Sequence, residues 1–136
     1  MKTRTNFFVS RILPLVLIAV MALSVASCGT KHPDQTGDGS PKTFVFEAYD
    51  LDGTQLYSGE ITTTCATVGD ALLEKSLLSG RAGSPGMYIE SVCGVTADYN
   101  IDRTYWAFYI GEDYAMTGAD NTPITEGETY ILRRSK

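Results

Sequence analysis

A basic start, a short apolar run and one cysteine decide how much of this chain is left to fold. Lys2, Arg4 and Arg11 flank an apolar stretch from Ile12 to Ala26 that only Pro14 and Ser24 interrupt, and Val25-Ala26-Ser27-Cys28 closes it. A basic flank, a short apolar segment and small residues before the cut are the marks of a secretion signal. The apolar-small-small-Cys ending reads as a lipobox. Residues 1–27 are then removed and Cys28 becomes the lipid-bearing first residue. The run is about 15 residues long, short of the ~20 a spanning helix needs. Two or three acyl chains give a stable anchor on the bilayer where one is marginal. The expected location is the cell envelope, lipid-anchored on the extracytoplasmic face.

What remains is one small domain and a tether. Residues 28–42 run from the lipid-bearing Cys28 through GTKHPDQTGDGSPK, which has no large apolar residue and reads as a flexible linker. The folded domain is expected over 43–136. All 16 acidic residues of the chain fall after the signal, against eight basic ones. Such an acidic surface repels nucleic acid, so no nucleic-acid partner is expected. Cys65 and Cys93 are the remaining cysteines. An oxidising compartment permits a bridge between them, closing a loop of about 29 residues and contributing ~3.5 kcal/mol. Two half-buried thiols fit the sequence equally well.

Along the domain, Thr43–Tyr49 alternates with the period of a strand, with Phe44, Phe46 and Ala48 on one side. Asp50-Leu51-Asp52-Gly53 is turn chemistry and Gln55–Thr63 returns, making a hairpin. Thr67 can cap a helix whose stripe is Val68, Ala71, Leu72 and Leu78, widened by Leu73 and Leu77, with Gly80 as its stop. A Gly/Ser/Pro loop over 81–86 leads to a strand over 87–95. After the polar loop 97–103 comes an aromatic strand over 104–110, then a short strand around 114–117. A long connection over 118–127 leads to the last strand over 129–133. A hairpin, a helix and more strands predict an α+β domain: a β-grasp-like mixed sheet packed on one helix in ββαββ order. In the aromatic strand Tyr105, Ala107 and Tyr109 face one way and Trp106, Phe108 and Ile110 the other. One face belongs to the core, and the other is free to present rings to a ligand or partner.

No catalytic constellation is visible, and the chain reads as a non-enzyme. His32, the lone histidine, lies in the tether, which rules out a histidine triad or a histidine metal cluster in the domain. Ser84 and Ser91 have no base in view, and no phosphate-binding glycine loop has the right spacing. The acidic loops Asp50-Leu51-Asp52-Gly53 and Asp98-Tyr99-Asn100-Ile101-Asp102 could offer oxygens to Ca²⁺. Neither has a complete EF-hand ligand set, so turn chemistry is the reading and no metal site is expected.

The spaced elements Gly86-Met87-Tyr88-Ile89, Ser91-Val92-Cys93-Gly94, Asp102-Arg103-Thr104-Tyr105-Trp106 and Ile124-x-x-Gly127-Glu128-Thr129 form a recognisable series with the Thr67-Val68-Gly69-Asp70-Ala71-Leu72 helix start. Over residues 43 to 134 the chain resembles the C-terminal β-domain of transcobalamin and intrinsic factor, and the bacterial DUF4430 proteins carrying that domain. The resemblance implies a β-grasp-like domain that closes over cobalamin, with a second domain supplying the other half of the site. The loop Gly83-Ser84-Pro85-Gly86-Met87-Tyr88 falls where the animal proteins reach the ligand, and Pro85 stands at a position they fill with tryptophan. The expected function is a membrane-anchored, non-catalytic binding module. Its ligand is expected to be a corrinoid, held by Ser84, Gly86, Tyr88, Tyr105 and Trp106, near a membrane transporter or a second binding protein. The alternative is a protein–protein interaction or surface-assembly module with no small ligand.

Overall fold

The computed structural model describes residues 39–136. The signal, Cys28 and the tether as far as Asp38 lie outside the described residues. Strand β1 (Lys42–Tyr49) buries Phe44, Phe46 and Ala48 completely, as its alternation predicts. A turn at 50–54 brings back β2 (Gln55–Thr63) antiparallel to it, with Phe44 opposite Ile61. Helix α1 (Val68–Glu74) starts where Thr67 Oγ1 accepts the Asp70 N–H at 3.3 Å. That bond satisfies one of the free donors every helix start leaves. Val68, Ala71 and Leu72 point into the core from the helix.

The helix is shorter than the apolar stripe predicts. It ends at Glu74 and Ser76 takes a left-handed φ of 56°, so the chain turns out and continues as strand β3 (Leu78–Arg81). Leu78 is buried as expected, opposite Val92 of β4 (Tyr88–Val92) and not on a helix face. The single strand expected over 87–95 is also broken. Cys93 (φ 50°) and Gly94 (φ 82°) form a two-residue turn that folds β5 (Val95–Thr96) back on β4. Two successive positive φ values give the turn whose twist suits a tight hairpin.

Next come β6 (Tyr105–Ile110), the two-residue β7 (Asp113–Tyr114), a 3-10 turn at Ala119–Asn121, and β8 (Thr129–Ser135). The main sheet has the order β2-β1-β8-β6-β7, and β3-β4-β5 form a second, smaller sheet. The first and last strands lie side by side and parallel at the centre, from Val45 opposite Thr129 to Tyr49 opposite Arg133. The result is a single small α+β domain with a five-stranded mixed sheet packed on one helix, as predicted, and with a second sheet added. Tyr130 anchors the centre of the core with both ends occupied. Its ring meets Phe44 edge-on and stacks on Phe108, while its hydroxyl accepts from Thr125 N and donates to Pro123 O.

Cys93 is a free thiol, so the bridge between Cys65 and Cys93 that the sequence left open is not made. Each is held in its own surroundings. Cys93 occupies the hairpin turn, its N–H donating to Leu77 O at 2.9 Å. Cys65 is buried at the end of β2 with its sulfur 2.9 Å from Glu74 Oε2. Partial burial pushes the Cys93 pKa up, which keeps it in the less reactive thiol form.

Candidate functional site

Strand β7 covers only the far half of β6, opposite Tyr109 and Ile110. The near half, starting at Tyr105, runs along the sheet edge beside β4 of the small sheet. Here Trp106 and Phe108 turn into the core, 7% and 6% exposed, while Tyr105 on the opposite face is 36% exposed. Where this edge meets β4 and the 114–119 segment, a cleft of about 400 Å³ opens. Tyr88, Tyr105, Trp106, Phe108, Tyr114 and Met116 are among its lining residues. A second cleft of about 450 Å³ lies along the loop from Arg81 to Tyr88. The two share Met87, Tyr88 and Gly118 as a common wall.

All five residues chosen from sequence therefore fall on this double cleft. Ser84 and Gly86 line the loop side, Tyr105 and Trp106 the strand side, and Tyr88 stands between them. Ser84 is exposed and Gly86 half-buried. The Ser84–Pro85 peptide is cis. Met87, Tyr114 and Met116 were missed. Tyr114 could have been found, since the turn at 111–112 places it opposite Tyr109, and the rings meet edge-on at 5.5 Å. Met116, 95% exposed, has no pattern around it to mark it.

Asp120 holds the loop in place. Its Oδ2 accepts the Met87 N–H at 2.9 Å, while Oδ1 is buried with no hydrogen-bond partner among the described residues. Three glycines make room around it. A Cβ on Gly86 would come within 3.1 Å of both carboxylate oxygens, and one on Gly118 within 2.6 Å of Oδ1. On the other side, a Cβ on Gly69 of α1 would strike the Asp120 backbone at 2.8 Å. Helix, 3-10 turn and loop thus lock together through close backbone approach. Arg81 lies over the Tyr88 ring at 5.0 Å and reaches Glu90 at 3.5 Å. The buried Trp106 Nε1 also has no partner among the described residues.

The two acidic loops meet beside the start of β6, where Arg134 lies opposite Trp106, around a cation that belongs to the chain. Arg134 reaches Asp50 Oδ1 at 3.1 Å and Asp102 Oδ2 at 2.7 Å, and its Nε donates to Thr104 Oγ1. The remaining carboxylate oxygens serve the turns: Asp52 accepts Thr54 N, and Asp98 accepts Asn100 N. The Thr104 hydroxyl bond, with help from Arg134, lowers the Asp102 pKa to about 2. Among the described residues no three His, Cys, Asp or Glu side chains converge as a metal site would need.

Two solved structures share this architecture. A candidate metal-binding protein of Ruminococcus gnavus ATCC 29149 superposes with a TM-score of 0.65 at 26% identity, over 70% of this chain and 97% of that one. Haptocorrin in complex with Cbi superposes with a TM-score of 0.57 at 24% identity, over 72% of this chain. The match spans only 26% of haptocorrin, so the shared part is one module of a larger protein. By their names these neighbours are binding proteins and not enzymes. Among curated proteins none matches. The family model described as "Domain of unknown function (DUF4430)" matches residues 63–133, from the end of β2 into β8. This chain belongs to the DUF4430 family.

Proposed function

We propose that this domain is a non-catalytic module that captures a small ligand in the double cleft around Tyr88, with a corrinoid as the ligand. The observation that carries the reading is convergence: residues 84, 86, 88, 105 and 106, far apart in sequence, line two adjoining clefts that share Met87, Tyr88 and Gly118. Concave, aromatic-rich surfaces with a few polar tips suit small-molecule binding. The fold shared with haptocorrin, whose structure holds Cbi, supports the choice of corrinoid. The cleft is open, so a partner such as a membrane transporter or second binding protein completes the site. Lipid on Cys28 then keeps the module on the extracytoplasmic face of the envelope. Mass spectrometry of the protein from its native envelope checks this: an acylated Cys28 at the N-terminus is expected, and an unmodified residue there would remove the anchor.

The chain has a single tryptophan, and Trp106 lines the cleft, so its fluorescence reports on the site. Titration of the mature chain with cobinamide should quench Trp106 saturably at micromolar affinity or better, about −8 kcal/mol. Tyr88→Ala and Tyr105→Ala should lose that response while the chain stays folded. No saturation up to millimolar cobinamide would overturn the corrinoid assignment.

A protein-interaction module is the second reading. Met116, 95% exposed, and Ile101, 83% exposed, favour it, because large apolar side chains held in water mark contact surfaces. Ile101→Ser should abolish capture of an envelope partner on this reading and leave cobinamide binding in place on the first.

A further inference from the structure

We propose that the cleft selects ligands by charge: it takes a flat molecule bearing no negative charge and rejects the anionic counterpart of the same molecule. This rests on the small-ligand reading above and adds a rule about ligand class. Among the described residues, none that lines the strand-side cleft is Asp, Glu, Lys or Arg. Its polar groups are neutral: the phenols of Tyr88, Tyr105 and Tyr114, and the Thr117 hydroxyl. Such groups serve amides, hydroxyls and ring nitrogens. An anion moved from water into this cleft loses hydration and finds no cation to replace it.

Two further features act in the same direction. Among the described residues Arg81 is the lone cation lining the loop-side cleft. It is 67% exposed, lies over Tyr88 and is paired with Glu90, so its charge is screened by water and partly answered. Behind the shared wall sits Asp120, with one oxygen accepting from Met87 N and the other buried beside Gly86 and Gly118 without a partner among the described residues. This carboxylate adds negative potential behind Met87 and Gly118, which line both clefts. The chain's net charge of −5 extends the repulsion outward.

N-phenyl-1-naphthylamine and 8-anilino-1-naphthalenesulfonate share a ring system and differ by one sulfonate, and both report through Trp106 by quenching and energy transfer. On the mature chain the neutral amine should bind saturably and the sulfonate at least tenfold more weakly. Met116→Lys places a cation at the exposed rim and should narrow the ratio between the two affinities. Glu60→Gln changes the net charge by the same amount on the far edge strand, and should leave the ratio alone. Equal binding of the two dyes, no saturable binding of the amine, or a ratio that Glu60→Gln shifts as much as Met116→Lys would each overturn the charge rule. The cobinamide titration is independent: its failure removes the corrinoid while the dye ratio still decides the rule, and the reverse also holds.

Discussion

Arg134 reaches from the end of β8 to a carboxylate on each of two loops, Asp50 and Asp102, and its third contact is Thr104. The sign of the acid response follows from Asp102. Its folded pKa, about 2, lies below the ordinary value near 4. The unfolded chain therefore takes up the proton first as pH falls. The stabilisation is fully present above about pH 5 and is lost between about pH 4 and pH 2. Thermal melts at stepped pH should show Asp102→Asn flattening this acid limb while changing little of the slope from pH 5 to 7. A limb as steep in the variant would assign acid unfolding to other carboxylates. Thr67→Ala removes the helix cap and should cost about 1 kcal/mol in denaturant melts. The turn roles of Asp50, Asp52, Asp98 and Asp102 were legible in sequence, because an Asx turn is a local bond. Their meeting through Arg134 was not, since Asp50 and Arg134 are 84 positions apart and no local pattern encodes the contact.

Among the elements, the hairpin strands and the aromatic strand were legible and the segment 76–96 was not. Leu77 and Leu78 continue a helical stripe, so periodicity extends the helix to them. The structure instead spends Ser76 on a left-handed turn and uses Leu78 in a strand. The competing signal was tertiary: pairing with β4 satisfies the backbone of 78–81 as well as helix bonds would. The Cys93-Gly94 turn was hidden because cysteine is an unusual choice for a positive φ, where asparagine is usual. Cys93→Asn should therefore be tolerated or raise stability by up to about 1 kcal/mol, and Gly94→Ala should cost about 1–2 kcal/mol. Equal effects of the two substitutions in urea melts would mean that turn strain is not what they report.

At the scale of the whole molecule, the order of hairpin, helix and strands predicted the main sheet, and the family resemblance singled out the loop of 83–88, which lines one of the clefts. Neither revealed that Asp120, a residue of the long connection, fastens that loop, because the contact crosses 33 positions. Binding should be felt by the entire fold. Cobinamide at 100 times its dissociation constant should stabilise the mature chain by about 2.7 kcal/mol. Calorimetry would register this as a melting temperature that climbs with ligand concentration, and an unmoved melting point would contradict binding to the native state.

The central pairing of β1 with β8 has a mechanical meaning. The strands run the same way, so the tether enters β1 at one end of the sheet while β8 finishes at the other. Force applied between Lys42 and Ser135 slides the two strands along each other and loads all of their hydrogen bonds together, where pulling at one end would open them in sequence. A module held to a surface at one end and engaged by a partner at the other would resist that load as a clamp.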